Sequence, residues 1–480
     1  MAHHQSSGLL GRLGTFWREF VAPAESEGGI FSPDLSDSDL VQLQSHMQAC
    51  LDGRGGDISA RTRTALLGNL YMRLSPEGRR RFLTVMATAF CPDQGQVDQA
   101  MLALQKASSD MREEAEEVLS QALEAPRVRL LRQFNILPDG VKFLVDMRAE
   151  LLRLCPDCSE LKGLERNLGT LLTSWFDVGF LELRRITWDA SPAALLEKII
   201  SYEAVHEIRS WSDLKNRLDS DRRLYGFFHP HMPDEPLIFV QVALLQGMAD
   251  NIHDLLDVSA PVADTTVADT AIFYSISSAQ KGLSGISLGN FLIKRVVSAL
   301  SSEFPGLKTF ATLSPMPDFH AWLEEYVAEK GDSVLLPAEM KAVSALVRRK
   351  GNGAQAPSLG VFGRLLSARL WESEQDTASV IEPILLRLGA YYLVSVRRFP
   401  EKEGDVPVAI DSVAHFHLSN GARVERLNWM GDRSKRGLEQ SAGLMVNYLY
   451  SLQDIEKNHE GYRCKGTAAI SPAIKSLLKE

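Results

Sequence analysis

Two histidines and one serine in the second half of the chain are suited to proton chemistry. His415 and His417 stand two residues apart in a strand-like run, which predicts that both imidazoles face one way and Phe416 the other. Because imidazole titrates near neutral pH, one of them could exchange protons with a substrate. Ser314 follows a predicted strand and precedes the rigid turn Pro315-Met316-Pro317, without a GxSxG motif. From these patterns alone, a structural histidine and a turn serine remain the alternatives.

Other histidines and cysteines raise the question of a metal site. His229-Pro230-His231 with Glu235 could supply ligands, but a proline-rich hairpin turn explains these residues without a metal. Cys155 and Cys158 form a lone CPDC, and neither an HExxH motif nor a second CxxC is present. We therefore predict no metal site, and we interpret the two cysteines as incidental residues at a helix junction.

A glycine-rich stretch, Gln280 to Gly289, follows a run of apolar, β-branched and aromatic residues that predicts a buried strand at Ala271 to Ser277. A helical pattern begins at Leu288, and a second strand is predicted at Thr309 to Leu313. The loop therefore leads into a helix N-terminus, where backbone N–H groups and the helix dipole can bind a phosphate. An ordinary strand-to-helix turn is the alternative.

The glycine-rich loop matches neither of two familiar phosphate motifs, GxxxxGK[ST] and GxGxxG. It resembles the pyrophosphate loop [RQ]xxGx[GA] of the acetyltransferase (GNAT) fold, with Gly282 in place of Arg or Gln and Ser287 in place of the last small residue. The residues predicted to bind a pyrophosphate are Gln280, Lys281, Gly282, Leu283, Ser284, Gly285, Ile286 and Ser287.

The elements that would carry these residues fall into two parts. Residues 1–36 contain Gly, Ser and Pro and are predicted to be flexible. Residues 37–188 have helical periodicity in almost every segment, with start signals such as Ser75-Pro76-Glu77, and predict a helical bundle. Residues 189–480 mix strands and helices. The predicted fold class is multidomain, an all-helical bundle followed by an α+β or α/β domain.

Within 189–480, a hairpin is predicted at Tyr225 to His229 and Leu237 to Ala243, split by the proline-rich HPHMPDEP. Asn420-Gly421 is a strong hairpin signal inside the strand-like region Val408 to Trp429. The apolar run Gly443 to Ile455 is predicted to return to the core. Helices are predicted at Ser191 to Tyr202, Ser212 to Leu218, Asp318 to Lys330, Leu359 to Trp371 and Thr377 to Tyr392.

A family resemblance rests on six segments that occur in a fixed order. They are FYSIS (273–277), GNFLIKRVV (289–297), LSPMPDF (313–319), HFHLSNGA (415–422), NWMGD (428–432) and GLMVNYLY (443–450). From about Trp175 onward the chain resembles malonyl-CoA decarboxylases. The resemblance implies a GNAT-like catalytic domain at 189–480 and a helical oligomerisation domain at 37–188, which would assemble a homodimer or homotetramer.

The same resemblance implies roles for single residues. His417 matches the catalytic histidine of the FHLxNGA motif, and Ser314 matches the catalytic serine of LSPxPxF. Ser275 in FYSIS and Tyr450 in GLMVNYLY are supporting positions. Many family members carry an acidic residue where this chain has Ser287, so this chain lacks that carboxylate.

The implied reaction is the loss of CO2 from malonyl-CoA to give acetyl-CoA. The transition state is enolate-like and needs hydrogen-bond donors, a dry pocket and a proton source. Ser314 and His417 would supply a hydroxyl and an imidazole, with no metal and no cofactor beyond the coenzyme A moiety. The glycine loop with Lys281, Lys294 or Arg295 would hold that moiety. A GNAT-type acyltransferase and a noncatalytic acyl-CoA sensor are the alternatives.

Composition limits the remaining possibilities. The chain of 480 residues has a net charge of −9 and a pI near 5.8, which argues against a nucleic-acid-binding protein. No apolar run approaches the roughly 20 residues that span a bilayer, and the N-terminus lacks an apolar secretory signal. Five scattered cysteines do not suggest a disulfide framework. We predict a cytoplasmic protein that binds neither nucleic acid nor a membrane.

Overall fold

The chain divides into two compact units. The computed structural model describes residues 31–52, 56–176, 178–286, 292–350, 360–399 and 406–479. One unit comprises the described residues up to Glu182 together with 228–237 and 279–286. The other comprises 183–227, 238–278 and the described residues from Leu292 onward. Most of the predicted flexible segment 1–36, Ser287 and the loop after Lys350 lie outside the described residues.

The first unit is helical, as its periodicity predicts. Ser36 caps the first helix in a capping box with Asp39, and Ser75 caps the third helix ahead of Pro76. Tyr71 packs edge-on against Phe82 and Phe143 in the interior. Its helices are α1 Asp37–Leu51, α2 Gly56–Arg73, α3 Pro76–Ala89, α4 Gln94–Lys106, α5 Arg112–Leu123, α6 Pro126–Asn135, α7 Gly140–Leu154 and α8 Lys162–Trp175.

The second unit is mixed. Its helices are α9 Ala193–Tyr202, α10 Trp211–Asn216, α11 Ile252–Leu256, α12 Leu292–Glu303, α13 Phe319–Lys330, α14 Pro337–Lys350, α15 Val361–Ala368, α16 Gln375–Val394, α17 Ser412–Ser419, α18 Lys435–Ser441, α19 Ile455–Lys465 and α20 Pro472–Leu477. The strands of the chain are β1 Glu182–Ile186, β2 Arg222–His229, β3 Met232–Leu245, β4 Thr270–Ser278, β5 Thr309–Thr312, β6 Ser314–Pro315, β7 Arg397–Arg398, β8 Val408–Ala409, β9 Arg423–Asn428 and β10 Met445–Leu449.

Eight of these strands form one sheet in the order β1-β2-β3-β4-β5-β10-β6, with β9 also paired to β10. Strands β4 and β5 are parallel, and Phe273 lies opposite Thr312. The predicted strand-loop-helix-strand unit is therefore confirmed as β4, α12 and β5, and the predicted hairpin is confirmed as β2 and β3. The predicted return of the chain to the core is confirmed by β10, in which Met445 to Tyr448 are buried.

One described helix, α16, is long and apolar enough to cross a membrane by length and composition, with a mean hydropathy of 1.2. Within its 18-residue apolar window, 56% is buried inside the chain, including Ile381, Ile384 and Leu385. A helix that packs its apolar residues against its own chain is satisfied without lipid. We therefore interpret α16 as a core helix of the second unit.

The strand-like region Val408 to Trp429 does contain strands β8 and β9, but the predicted hairpin at Asn420-Gly421 is wrong. Residues 412–419 form helix α17, and Asp411 caps its N-terminus by accepting a hydrogen bond from Ala414 N. Asn420 is the C-cap, and Gly421 follows in a left-handed conformation with φ +80°. The Asn-Gly pair therefore ends a helix instead of joining two strands, a second use of glycine at positive φ. Helices α11, α14, α18, α19 and α20 were not predicted from the sequence.

Replacing Gly421 by alanine should destabilise the chain strongly. A Cβ at this position would lie 2.1 Å from the carbonyl oxygen of Ile455, in addition to the strain of a left-handed backbone. We expect a loss of about 3 kcal/mol in the free energy of unfolding, measured by urea denaturation. Gly247→Ala is the control, because Gly247 has φ +79° and open space around its Cβ position. Equal losses in the two variants would contradict a role for the Ile455 contact.

Candidate active site

Ser314 lies where strand β5 passes into the short strand β6. Strand β10 pairs antiparallel with both, through Leu449 opposite Ala311 and Val446 opposite Ser314, so the register is continuous across the break. Pro315 and Pro317 limit further pairing, and the following turn is held where Met316 N donates to Ser441 Oγ at 3.0 Å. Ser314 is thus placed at the carboxyl end of β5, where open α/β sheets bind their ligands.

His417 reaches this point from helix α17, which corrects the prediction that His415 and His417 share one face of a strand. Residues two apart on a helix point in widely different directions. His415 Nδ1 lies 3.0 Å from Tyr462 Oη, whereas His417 Nε2 lies 3.1 Å from Ser314 Oγ. Only His417 therefore belongs to the same site as the serine.

A chain of hydrogen bonds passes through the imidazole of His417. Its Nδ1 lies 2.8 Å from Tyr450 Oη, and its Nε2 lies 3.1 Å from Ser314 Oγ, which in turn donates to Thr312 Oγ1 at 2.9 Å. Ser314, His417 and Tyr450 are 7%, 3% and 2% exposed. The structure thus brings together three of the four residues that the resemblance implicates, and it adds Thr312.

Burial sets the protonation state of this chain. Removal from water lowers the pKa of His417 to about 3, because the charged imidazolium is poorly solvated there. Burial also raises the pKa of Tyr450, so its hydroxyl keeps its proton. The Tyr448 ring stacks on the imidazole at 4.5 Å between centroids. The site at neutral pH therefore contains a neutral histidine between two neutral hydroxyl groups.

Ser275, the fourth implicated residue, takes part in a separate network. Its hydroxyl donates to Glu203 Oε1 at 2.8 Å and Oε2 at 2.9 Å, instead of to Ser314 or His417. Gln241 Nε2 also donates to Glu203 at 2.5 Å, and Tyr274 Oη donates to Gln241 Oε1. Glu203 and Gln241 were not predicted from the sequence, because no local motif marks them.

The glycine loop is described up to Ile286 and begins with a short turn, Lys281–Leu283. Arg148 on α7 donates from Nη1 to the carbonyl oxygens of Gly282 at 2.6 Å and Ser284 at 2.9 Å. Gly285 has φ +75° and open space around its Cβ position. The amide of Gln280 donates to Pro236 O at 2.9 Å, so that side chain is held within the first unit.

Two of the three basic residues predicted to hold coenzyme A have protein partners. Lys294 Nζ lies 2.8 Å from Glu456 Oε1, and the Arg295 guanidinium lies over the Phe227 ring at 5.5 Å. Lys281 is exposed. Binding of a phosphate by Lys294 would therefore compete with its ion pair to Glu456. An exposed ion pair of this kind contributes little free energy, so the competition would be weak.

The histidines around Pro230 are used by the backbone. His229 Nε2 lies 3.0 Å from Trp175 O, and His229 Nδ1 accepts a hydrogen bond from His231 N at 3.2 Å. Both ring nitrogens of His229 are therefore occupied without a metal. In the part of the chain that the structure describes, no three His, Cys, Asp or Glu side chains form a group that could hold a metal ion.

Comparison with known proteins covers both units. The malonyl-CoA decarboxylase C-terminal domain family matches residues 179–480, and the corresponding N-terminal domain family matches residues 90–176. The mitochondrial malonyl-CoA decarboxylase of Anser anser anser is 37% identical over 443 residues, 88% of this chain and 84% of that protein. The Mus musculus protein of the same name is 37% identical over 84% of this chain and 82% of its own length.

Solved structures agree with these matches. The malonyl-CoA decarboxylase from Rhodopseudomonas palustris superimposes with a TM-score of 0.79 at 40% identity, covering 91% of this chain and 99% of that one. The malonyl-CoA decarboxylase from Agrobacterium vitis gives a TM-score of 0.77 at 39% identity, covering 92% of this chain and 100% of that one. The chain therefore belongs to the malonyl-CoA decarboxylase family.

Proposed function

We propose that this chain decarboxylates malonyl-CoA to acetyl-CoA and CO2 at Ser314 and His417. The observation that carries the proposal is the buried contact between Ser314 Oγ and His417 Nε2, with Tyr450 behind the imidazole. The two residues are 103 positions apart in sequence, and the fold brings them together at the carboxyl end of β5. Family membership supports the same activity.

The reaction needs a site that stabilises an enolate and then protonates it. The bond between the carboxylate and the α-carbon breaks, CO2 leaves, and the electron pair delocalises into the thioester carbonyl. Ser314 would donate a hydrogen bond to the malonyl carboxylate or to the thioester oxygen. A buried position suits both tasks, because hydrogen bonds act more strongly where water is excluded.

His417 would protonate the enolate carbon as a neutral imidazole. A proton leaving Nε2 can be replaced at Nδ1 by the Tyr450 hydroxyl 2.8 Å away, so the ring stays neutral throughout. The transfer runs downhill because the enolate of a thioester is a far stronger base than a phenolate. The site is reset when Nε2 takes up a proton from water after the product leaves and the Nδ1 proton returns to the tyrosinate. This scheme uses no metal and no cofactor beyond the coenzyme A moiety.

The coenzyme A pyrophosphate would bind at residues 280–287. Support comes from the position of this loop between β4 and α12 and from the conformation of Gly285. Arg148 binds the Ser284 carbonyl, and the two ends of a trans peptide point in opposite directions. The Gly285 N–H therefore faces away from Arg148, as an anion-binding donor should. The assignment of residues 189–480 to the GNAT fold is part of the same proposal and rests on the family resemblance.

We further propose that the helical unit assembles the chain into a homodimer or homotetramer. Helices α4 and α5 carry exposed apolar side chains, which a partner helix could cover. They are Met101 at 45%, Leu102 at 53%, Val118 at 49% and Leu123 at 54% exposure. A second copy of the chain is the partner that the family resemblance implies. The cytoplasmic location and the lack of a nucleic-acid or membrane partner stay predictions.

The purified chain should release acetyl-CoA and CO2 from malonyl-CoA with no acceptor present. An acyltransferase would need an amine or hydroxyl acceptor, and a sensor would only bind. Ser314→Ala and His417→Asn should each lower kcat by at least about 100-fold, because both groups act mainly in the transition state. The double variant should be little worse than either single one, since the two residues act as a unit.

His415→Asn is the matched control for His417→Asn, because His415 lies on the same helix but contacts Tyr462. Its turnover should stay near that of the parent. Parental turnover in either site variant would remove that residue from the mechanism. Losses that multiply in the double variant would show that Ser314 and His417 act independently.

Gly285→Val should weaken coenzyme A binding by about tenfold while the fold is kept. Its Cβ position is open, but a β-branched residue is strained at φ +75° and would shift the backbone donor. Binding is measured by titration calorimetry and folding by thermal denaturation. Gly247→Val is the control with a similar φ outside the loop. Unchanged affinity in a variant that melts like the parent would remove the loop from the binding site.

Introducing charge on the α4 and α5 surface should break the assembly. We expect Leu102→Asp with Val118→Asp to lower the particle mass measured by multi-angle light scattering, because burying these carboxylates would be costly. Turnover per folded subunit should change less than about twofold. Val41→Asp, at an exposed position on α1, is the control. An unchanged mass in the double variant would place the interface elsewhere.

A further inference from the structure

Ser314 has a second partner besides His417. Its hydroxyl donates to Thr312 Oγ1 at 2.9 Å, while His417 Nε2 lies 3.1 Å from the same oxygen. Thr312 is fully buried, and residues 312 and 314 fall on the same side of the β5–β6 path. A serine hydroxyl has one proton to donate. If Thr312 takes that proton, the contact with His417 must use a hydrogen from the imidazole.

The sheet holds the Thr312 hydroxyl in place. The register on either side pairs Leu449 with Ala311 and Val446 with Ser314, so Tyr448 lies opposite Thr312. Tyr448 N donates to Thr312 Oγ1 at 3.1 Å, and the Thr312 carbonyl accepts from Asn447 Nδ2 at 2.7 Å. The side chains of Thr312 and Asn447 thus make the hydrogen bonds that backbone groups make in a regular antiparallel pair.

The orientation of the Asn447 side-chain amide is fixed by its own hydrogen bonds. It is fully buried, and its Oδ1 accepts hydrogen bonds from Asn428 Nδ2 at 2.9 Å and Arg426 Nε at 3.1 Å. Its amide nitrogen must therefore be the end that faces the Thr312 carbonyl. The Thr312 oxygen is an acceptor anchored to the backbone of β10.

We propose that Thr312 is a positioning residue that fixes the direction of the proton chain through Ser314 to His417. In the site without substrate, Thr312 accepts from Ser314, Ser314 accepts from His417 Nε2–H, and His417 Nδ1 accepts from Tyr450 O–H. When substrate binds, the Ser314 proton would turn from Thr312 to the substrate oxygen, while Nε2 keeps its own proton. The transferable proton is thereby held on Nε2, the nitrogen that faces Ser314. The inference rests on the proposed roles of Ser314 and His417.

Removing the Thr312 hydroxyl should reverse this order. The remaining acceptor for Ser314 in its hydrogen-bond network is His417 Nε2, so the serine would donate to the imidazole. The ring proton would then reside on Nδ1 and point at Tyr450. Such a site still contains every catalytic side chain, but its imidazole has no proton at the substrate side.

The test compares Thr312→Val, which keeps the shape without the hydroxyl, with Thr312→Ser, which keeps the hydroxyl. We expect Thr312→Val to lower kcat by roughly 10- to 100-fold with KM changed by less than about threefold. Thr312→Ser should restore most of the turnover. Thr377→Val is the control, because Thr377 is another fully buried threonine whose hydroxyl donates to a side chain, Glu374.

The histidine tautomer gives a readout that a merely structural role would not move. In 15N-histidine-labelled protein, His417 Nε2 should give the protonated, pyrrole-type signal in the parent and in Thr312→Ser. In Thr312→Val that signal should pass to Nδ1. The parent spectrum alone tests the inference if Thr312→Val does not fold. A pyridine-type Nε2 in the parent would overturn it.

Two further results would overturn the role of Thr312: parental kcat in Thr312→Val, or equal losses in Thr312→Val and Thr312→Ser. Ser314→Ala and His417→Asn are measured alongside. If they lose turnover while Thr312→Val keeps it, only the inference about Thr312 fails. If they too keep turnover, the proposed catalytic residues are wrong, and the tautomer in the parent and in Thr312→Val still decides what Thr312 does.

Discussion

The pairing of strand β10 is the constraint on which the site depends. This strand bonds to β5 and β6 along one edge and to β9 along the other, so it cannot slip by one residue without moving every side chain to the opposite face. Its register places Val446 opposite Ser314 and brings the residues after Tyr448 alongside β5. Tyr450 N then donates to Phe310 O at 2.8 Å, which fixes the tyrosine behind His417.

Burial of the site determines its hydrogen bonding and its protonation state. Leaving a buried polar group without a hydrogen bond costs about 1–3 kcal/mol of stability. The hydroxyls of Ser314 and Tyr450 avoid this cost because both are hydrogen-bonded to the His417 imidazole. The Tyr448 hydroxyl is an exception, since it is fully buried without a hydrogen-bond partner among the described residues. Its ring compensates by stacking on His417 and excluding water from that face. The same exclusion of water keeps the histidine neutral, which a proton relay through both ring nitrogens requires.

Local pattern predicted the fold better than it predicted the site. Strand β4, helix α12 and strand β5 follow from apolar periodicity because each is buried on the side that the pattern marks. His415 and His417 alternate with apolar residues and so resemble a strand, but Asp411 starts a helix there by capping it. The residues Ser314, His417 and Tyr450 were identified through family resemblance. Their contact joins segments more than 30 residues apart, which no local pattern encodes. Thr312 had one usable signal, its position two residues before Ser314 on a predicted strand.

The glycines of the loop show how one sequence signal can have two causes. A Cβ at Gly282 would lie 1.8 Å from the carbonyl oxygen of Val145 on α7, so this glycine is required by close packing within the first unit. Gly285 has no such contact, and only its left-handed backbone calls for glycine. Arg148, itself buried, binds the carbonyls on both sides of Leu283. The helical unit therefore shapes the loop that we assign to coenzyme A, so its role is not limited to assembly.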